Sequence, residues 1–214
     1  MKDNKNRLPI HQGFWREVKQ ANPYSNPSPA LFVDRDGTII RLIDYLDNPE
    51  LVILIPEVIE IIHTANQCGI RVVMITNQSG ISRGFFNWEK FALVQNMVID
   101  KCEKKGARFD AIYACPDHPD NPSQYRKPNP GMFFTAQVDL NINLSESLIL
   151  GDAASDLLAG KRAGLHQSWL APTGHGKRDK LLALELEDSS FKVNITNNYQ
   201  DLEKALLILE RKFS

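Results

Sequence analysis

The chain has 214 residues, 25 basic and 26 acidic, for a net charge of −1 with histidine neutral. That length suits one α/β domain with a full core, and the even balance argues against a nucleic-acid binder relying on bulk charge. No apolar run approaches the roughly 20 residues that span a bilayer, and the charged start Met1-Lys2-Asp3-Asn4-Lys5-Asn6-Arg7 leads into no apolar signal core, so no membrane partner and a cytoplasmic location are expected.

Residues 1–29 are polar and rich in Pro, Asn and Ser, and are expected to form an arm over a domain spanning 30–214. A short helix is predicted around Phe14-Trp15-Arg16-Glu17-Val18, buried because Phe14 and Trp15 would otherwise be exposed apolar groups. Ala30 to Val33 then has the continuous apolar character of a buried strand and stops at Asp34 and Asp36, with Gly37 allowing a sharp turn. Arg41 to Ile55 is a loop with a short apolar end, and Pro56 opens a helix in which Val58, Ile59, Ile61, Ile62 and Ala65 recur at helical spacing.

A second strand, Arg71 to Ile75, runs into Thr76-Asn77-Gln78-Ser79-Gly80, and Trp88 to Cys102 is an amphipathic helix. Phe109 to Ala114 is a third strand, followed by Cys115-Pro116-Asp117-His118-Pro119 and a Pro-rich loop containing Arg126-Lys127-Pro128. After a helix from Met132 to Leu140, a fourth strand (Ser147 to Leu150) ends in Gly151-Asp152, with Asp156 at the entry of the next helix. His166 to Ala171 is a fifth strand, Lys192 to Ile195 a further one, and a terminal helix runs from Tyr199 to about Arg211. Cys68, Cys102 and Cys115 are odd in number and widely spaced, which disfavours a disulfide framework and suits a reducing compartment.

Alternating strands and helices predict a Rossmann-like, doubly wound parallel sheet covered on both faces. In such a sheet the carboxyl ends of the strands share one edge, where ligands bind. Asp34 and Asp36, Thr76 and Asn77, and Asp152 each follow a separate strand and so are expected in one site. Three carboxylates suit a hard ion such as Mg²⁺. Thr76 and Asn77 can donate to an anion, and Lys127 adds a compact positive charge. Taken singly, Asp152 or Asp156 is a common helix N-cap, Thr76-Asn77 an ordinary turn and Lys127 a solvated loop cation. Their joint placement after strands favours the parts that phosphoryl transfer needs.

Asp34-Arg35-Asp36-Gly37-Thr38, Thr76-Asn77-Gln78-Ser79-Gly80, Arg126-Lys127-Pro128-Asn129-Pro130-Gly131 and Gly151-Asp152 with Asp156 resemble, in that order, the four motifs of the haloacid dehalogenase superfamily of phosphatases. Within it the pattern is most similar to the D-glycero-D-manno-heptose 1,7-bisphosphate 7-phosphatase family, with the histidinol-phosphatase branch as near relative. The resemblance implies a Mg²⁺-dependent phosphomonoesterase acting on a small phosphorylated sugar, and the short stretches between the motifs leave no room for a large inserted cap domain. Asp34 would be the nucleophile and Asp36 the general acid and base. Mg²⁺ would be held by the Asp34 and Asp152 carboxylates and the backbone carbonyl of Asp36. Thr76 and Lys127 would hold the phosphoryl group, Arg126 would help recognise substrate, and Asp156 would orient Lys127 or a metal-bound water, with Arg83 a further candidate for substrate contact.

The family's zinc loop is reduced here to Cys115 and His118 with Asp117 in place of a histidine, so a structural zinc is not expected. Ile40-Arg41-Leu42-Ile43-Asp44-Tyr45 stands where the family has a loop rich in Asn, Asp and His before a Gly-Tyr, with only Tyr45 matching cleanly, and Ala153 stands where a Lys commonly follows the metal-binding Asp. A monomer is expected. The alternatives are a phosphatase for histidinol phosphate or another small metabolite, and a non-catalytic scaffold of the same fold. A nucleic-acid 3′-phosphatase is disfavoured by the charge balance.

Overall fold

A computed structural model describes residues 8–19 and 26–213. Among these residues eight strands form one sheet: β1 (Ile10–His11), β2 (Phe14–Val18), β3 (Ala30–Val33), β4 (Arg71–Asn77), β5 (Ala111–Cys115), β6 (Leu148–Gly151), β7 (Gln167–Leu170) and β8 (Lys192–Ile195). Their spatial order is β1-β2-β5-β4-β3-β6-β7-β8. From β5 to β8 every pairing is parallel, and β2 adds to β5 antiparallel.

Among the described residues six α-helices cover the sheet: α1 (Pro56–Gln67), α2 (Trp88–Glu103), α3 (Gly131–Leu140), α4 (Ala154–Arg162), α5 (Gly176–Leu184) and α6 (Gln200–Phe213). Successive side chains of a strand face opposite ways, and the central strands obey this on two apolar layers. Leu31, Val33, Val72, Met74, Leu148 and Leu150 pack with buried residues of α1, α2 and α6. Ala30, Phe32, Val73, Ile75 and Ile149 pack with those of α3, α4 and α5. Being buried on both faces, these strands read as unbroken apolar runs rather than alternating ones. None of the described helices is long and apolar enough to cross a membrane.

The short helix predicted at Phe14 to Val18 is instead β2, paired with β5 through Trp15 and Ala114, Arg16 and Tyr113, and Glu17 and Ile112. Pairing supplies the open edge of β5 with main-chain partners. It also sends Phe14 and Trp15, each 3% exposed, to opposite faces of the sheet, which a helix cannot do for adjacent residues. Trp15 meets Phe91 edge-on at 5.0 Å between ring centroids, and Phe14 stacks on Tyr125 at 4.0 Å. Residues 1–7 and 20–25 of the expected arm lie outside the described residues.

Candidate active site

Between β3 and β6 the strand order reverses direction: β4 and β5 lie on one side of β3, β6 and β7 on the other. Ligands of open α/β sheets bind at such a switch point, beyond the carboxyl ends of the strands. A cavity of about 280 Å³ lies there, lined among others by Asp34, Asp36, Thr76, Asn77, Lys127 and Asp152. The residues expected from three strand ends and one loop therefore converge. Arg126 and Arg83 are not among the lining residues, and Arg126 Nη1 donates to the Asp117 carbonyl at 2.9 Å. Burial pulls the Arg126 guanidinium down from its ordinary value, and the charge of Arg83 acts in the same direction.

Lys127 sits at the centre. Its Nζ donates to Asp34 Oδ1 at 2.5 Å and to the Ile75 carbonyl at 3.0 Å, and pairs with Asp156 Oδ1 at 2.7 Å. Three partners use the three donors of an ammonium. Burial alone would lower its pKa, but the charges of Asp156 and Asp34 outweigh that and hold it above the ordinary value. Asp156 also accepts the Ala153 N–H at 3.1 Å, so one carboxylate both caps α4 and aims Lys127.

One ammonium cannot neutralise three carboxylates. Asp34, Asp152 and Asp156, all buried, offer oxygens within 4.8 Å of one another. Burial pushes Asp34 well above the usual carboxylate range; Lys127 opposes this, and Asp156, Asp152 and Asp36 add to it. Asp152 is pushed up to about 7, chiefly by burial and then by Asp156, against the His175 N–H that donates to its Oδ2 at 2.7 Å. Hard oxygen donors carrying uncompensated charge suit Mg²⁺, so the residues present fit that ion.

Glycine makes the approach of these loops possible. Gly37 has φ +84°, and a Cβ there would overlap the Asp152 carboxylate. Thr173 Oγ1 donates to the Gly37 carbonyl at 2.6 Å, tying the turn after β3 to the segment after β7. That segment belongs to a stretch with no readable pattern in the sequence.

Three expectations of placement are refined. The Asp36 carboxylate is outside the acidic cluster and instead accepts from Arg35, Gln78 and Thr76. Asn77, expected to donate to an anion, has both ends of its amide engaged with the Lys127 backbone, at 2.9 and 3.0 Å. Thr76 Oγ1 reaches Asp36 at 3.3 Å and accepts from Gln78 Nε2 at 2.8 Å. Sequence reasoning missed Arg35 and Gln78. Both lie within the motifs, but their tasks depend on contacts made only after folding.

Comparison with known proteins places this geometry. The family model described as polynucleotide kinase 3 phosphatase matches residues 30–203. A D-glycero-β-D-manno-heptose-1,7-bisphosphate 7-phosphatase of Mesorhizobium japonicum is 42% identical over 187 residues, 83% of this chain and 85% of that one. A crystal structure described as a HAD-like phosphatase of Mesorhizobium loti superposes with a TM-score of 0.83 at 36% identity, covering 96% of this chain and 97% of that one. The D,D-heptose 1,7-bisphosphate phosphatase of B. bronchiseptica, complexed with magnesium and phosphate, gives 0.74 at 29% identity, covering 84% and 98%. With relatives that are phosphatases across nearly their whole length, the scaffold alternative loses its ground. The chain belongs to the haloacid dehalogenase superfamily of phosphatases, alongside the heptose-bisphosphate phosphatases.

Proposed function

We propose that this enzyme is a Mg²⁺-dependent phosphomonoesterase that removes the 7-phosphate of D-glycero-D-manno-heptose 1,7-bisphosphate by way of a phosphorylated Asp34. The observation that carries the chemistry is the meeting of Asp34, Asp152, Lys127 and Asp36 in one cavity at the sheet's switch point. The sugar is supported by the 42% identical relative that bears that name.

Asp34 is the nucleophile. One of its carboxylate oxygens bonds to phosphorus as the bond from phosphorus to the sugar oxygen breaks, and that oxygen takes a proton from the Asp36 carboxyl. Asp36, now a carboxylate, takes a proton from water, whose oxygen attacks phosphorus. The bond from phosphorus to Asp34 breaks, releasing phosphate and restoring both groups. Lys127 and Thr76 hold the phosphoryl oxygens, Lys127 by giving up one carboxylate partner. The carboxylates of Asp34 and Asp152 with the backbone carbonyl of Asp36 would hold Mg²⁺, which when bound offsets charge on the phosphoryl group. Asp156 keeps Lys127 aimed. Outside the chemistry, Arg126 and Arg83 are proposed to meet the substrate at the mouth. The enzyme works as a monomer on a small molecule.

A second reading, a polynucleotide 3′-phosphatase, rests on the description of the family model. The net charge of −1 offers no bulk attraction to a phosphate backbone. Phosphate release from both anomers of the heptose bisphosphate, from histidinol phosphate and from a 3′-phosphorylated oligonucleotide separates these readings. The heptose is expected to turn over at least about a hundredfold faster in kcat/KM, a difference of about 2.7 kcal/mol; preference for either other substrate would replace the assignment. Asp34→Asn is expected to abolish turnover on all of them, and activity surviving that change would remove Asp34 as nucleophile.

A further inference from the structure

Arg35, lying between the two carboxylates of the first motif, is 1% exposed, the largest of the fully buried side chains among the described residues. Its Nε donates to Asp36 Oδ2 at 3.1 Å and its Nη2 to Asp36 Oδ1 at 3.1 Å while lying 2.9 Å from Oδ2, a fork onto its own chain neighbour that leans toward Oδ2. Its Nη1 reaches Oε1 of the buried Gln95 at 3.4 Å, and the guanidinium lies 5.2 Å from the centre of the Phe91 ring. Gln95 in turn is held at Met74 Sδ by its Nε2 at 3.2 Å. The cation is thus fixed from below by α2 and β4 and presents its fork upward.

Burying a guanidinium costs several kcal/mol, and pairing seldom returns more than an apolar side chain of the same volume would. A core position filled by arginine therefore points to a requirement other than stability. The two oxygens of Asp36 show what it is. Oδ2 accepts from Arg35 Nε and from Gln78 Nε2 at 2.7 Å, which fill its two lone pairs, and Thr76 Oγ1 at 3.3 Å is a longer third donor that can turn to a phosphoryl oxygen without leaving Oδ2 unpaired. Oδ1 accepts from Arg35 alone among the described contacts and keeps a lone pair.

We propose that Arg35 is a positioning residue: its fork, seated on Phe91 and Gln95, fixes the rotation of the Asp36 carboxylate so that Oδ1 is the oxygen that exchanges the proton with the leaving group and with water. This rests on the reading of Asp36 as the general acid and base. A carboxylate free to rotate would exchange the roles of its oxygens and spend part of its time out of hydrogen-bond reach of the leaving oxygen.

The test compares leaving groups in the first turnover of the Mg²⁺-loaded full chain by rapid quench. A sugar phosphate must be protonated as it leaves; p-nitrophenolate leaves without a proton. General-acid assistance is worth about 10²–10⁴-fold. Asp36→Asn and Arg35→Met are expected to slow the sugar phosphate at least about a hundredfold and p-nitrophenyl phosphate less than about tenfold. Arg35→Lys keeps the charge without the fork, and is expected to slow the sugar phosphate at least about tenfold more than the aryl ester. It decides the matter if Arg35→Met does not fold. Equal slowing of both esters in folded Arg35→Lys, with Asp36→Asn still discriminating, would overturn the role of Arg35 alone. Absence of discrimination in Asp36→Asn would overturn the general-acid reading and the proposal with it.

Discussion

Asn77 lines the cavity, yet both ends of its side-chain amide are engaged with the backbone. Its amide closes a two-bond ring with the backbone of Lys127, holding the loop that delivers the ammonium to the end of β4. Asn77→Ala would leave a partly buried N–H and C=O without partners, a loss of about 1–3 kcal/mol in urea unfolding. Lys127 would then be less well placed, and kcat is expected to fall about tenfold or more, equal to about 1.4 kcal/mol of transition-state stabilisation. If the Asn77 amide instead met the substrate, KM would rise while stability stayed unchanged. Measuring unfolding and steady-state kinetics on the same variant separates the two.

Among elements, the β1–β2 hairpin does the most unexpected work. It closes the open edge of β5 and reaches the loop that precedes Lys127, since Tyr125 stacks on Phe14 and donates its hydroxyl to Gln12 Oε1 at 2.9 Å. Arg16 pairs with Asp139, which also accepts from Tyr113 at 2.8 Å, fastening the hairpin to α3. Phe14→Ala removes both the ring from the core and the stacked pair, and is expected to cost about 3–5 kcal/mol. A loss below about 1 kcal/mol in the unfolding midpoint would mean that the hairpin unfolds separately from the sheet. Sequence could not show this. Phe14 and Trp15 are one apolar pair among charged residues, too short to display a period of two or of 3.6. The central strands were legible because burial on both faces leaves apolar runs that end where the polar site begins. Gathering of the candidate site residues in one cavity followed from that rule. The partners chosen within the site did not, because the Arg35 fork, the Asn77 ring and the approach of Gly37 to Asp152 depend on loops meeting across the sheet edge.

At the scale of the whole molecule, the fold concentrates negative charge where three loops converge, and stability must then depend on what neutralises it. Asp34 and Asp152 both have folded pKa values raised above their unfolded ones, Asp152 to about 7. In this window the native state binds more protons than the unfolded state, so stability falls as pH rises. The unfavourable contribution is absent below about pH 4, where both states are protonated, and from Asp152 is complete just above pH 7. A carboxyl raised from about 4 to about 7 destabilises the fold by at most about 4 kcal/mol. In a chelator, urea unfolding should therefore show lower stability at pH 8 than at pH 5.5. Mg²⁺ favours the ionised carboxylates, so its stabilisation should grow over the same interval, because binding at low pH must displace protons. Millimolar Mg²⁺ is accordingly expected to raise Tm more at pH 8 than at pH 5.5. The Asp152→Asn variant should lose the share of both effects that Asp152 carries, since its side chain neither titrates nor repels, and should keep the share that burial of Asp34 contributes. A metal-free wild-type protein whose stability rose steadily from pH 5.5 to 8 would show that the carboxylates are already compensated without a cation.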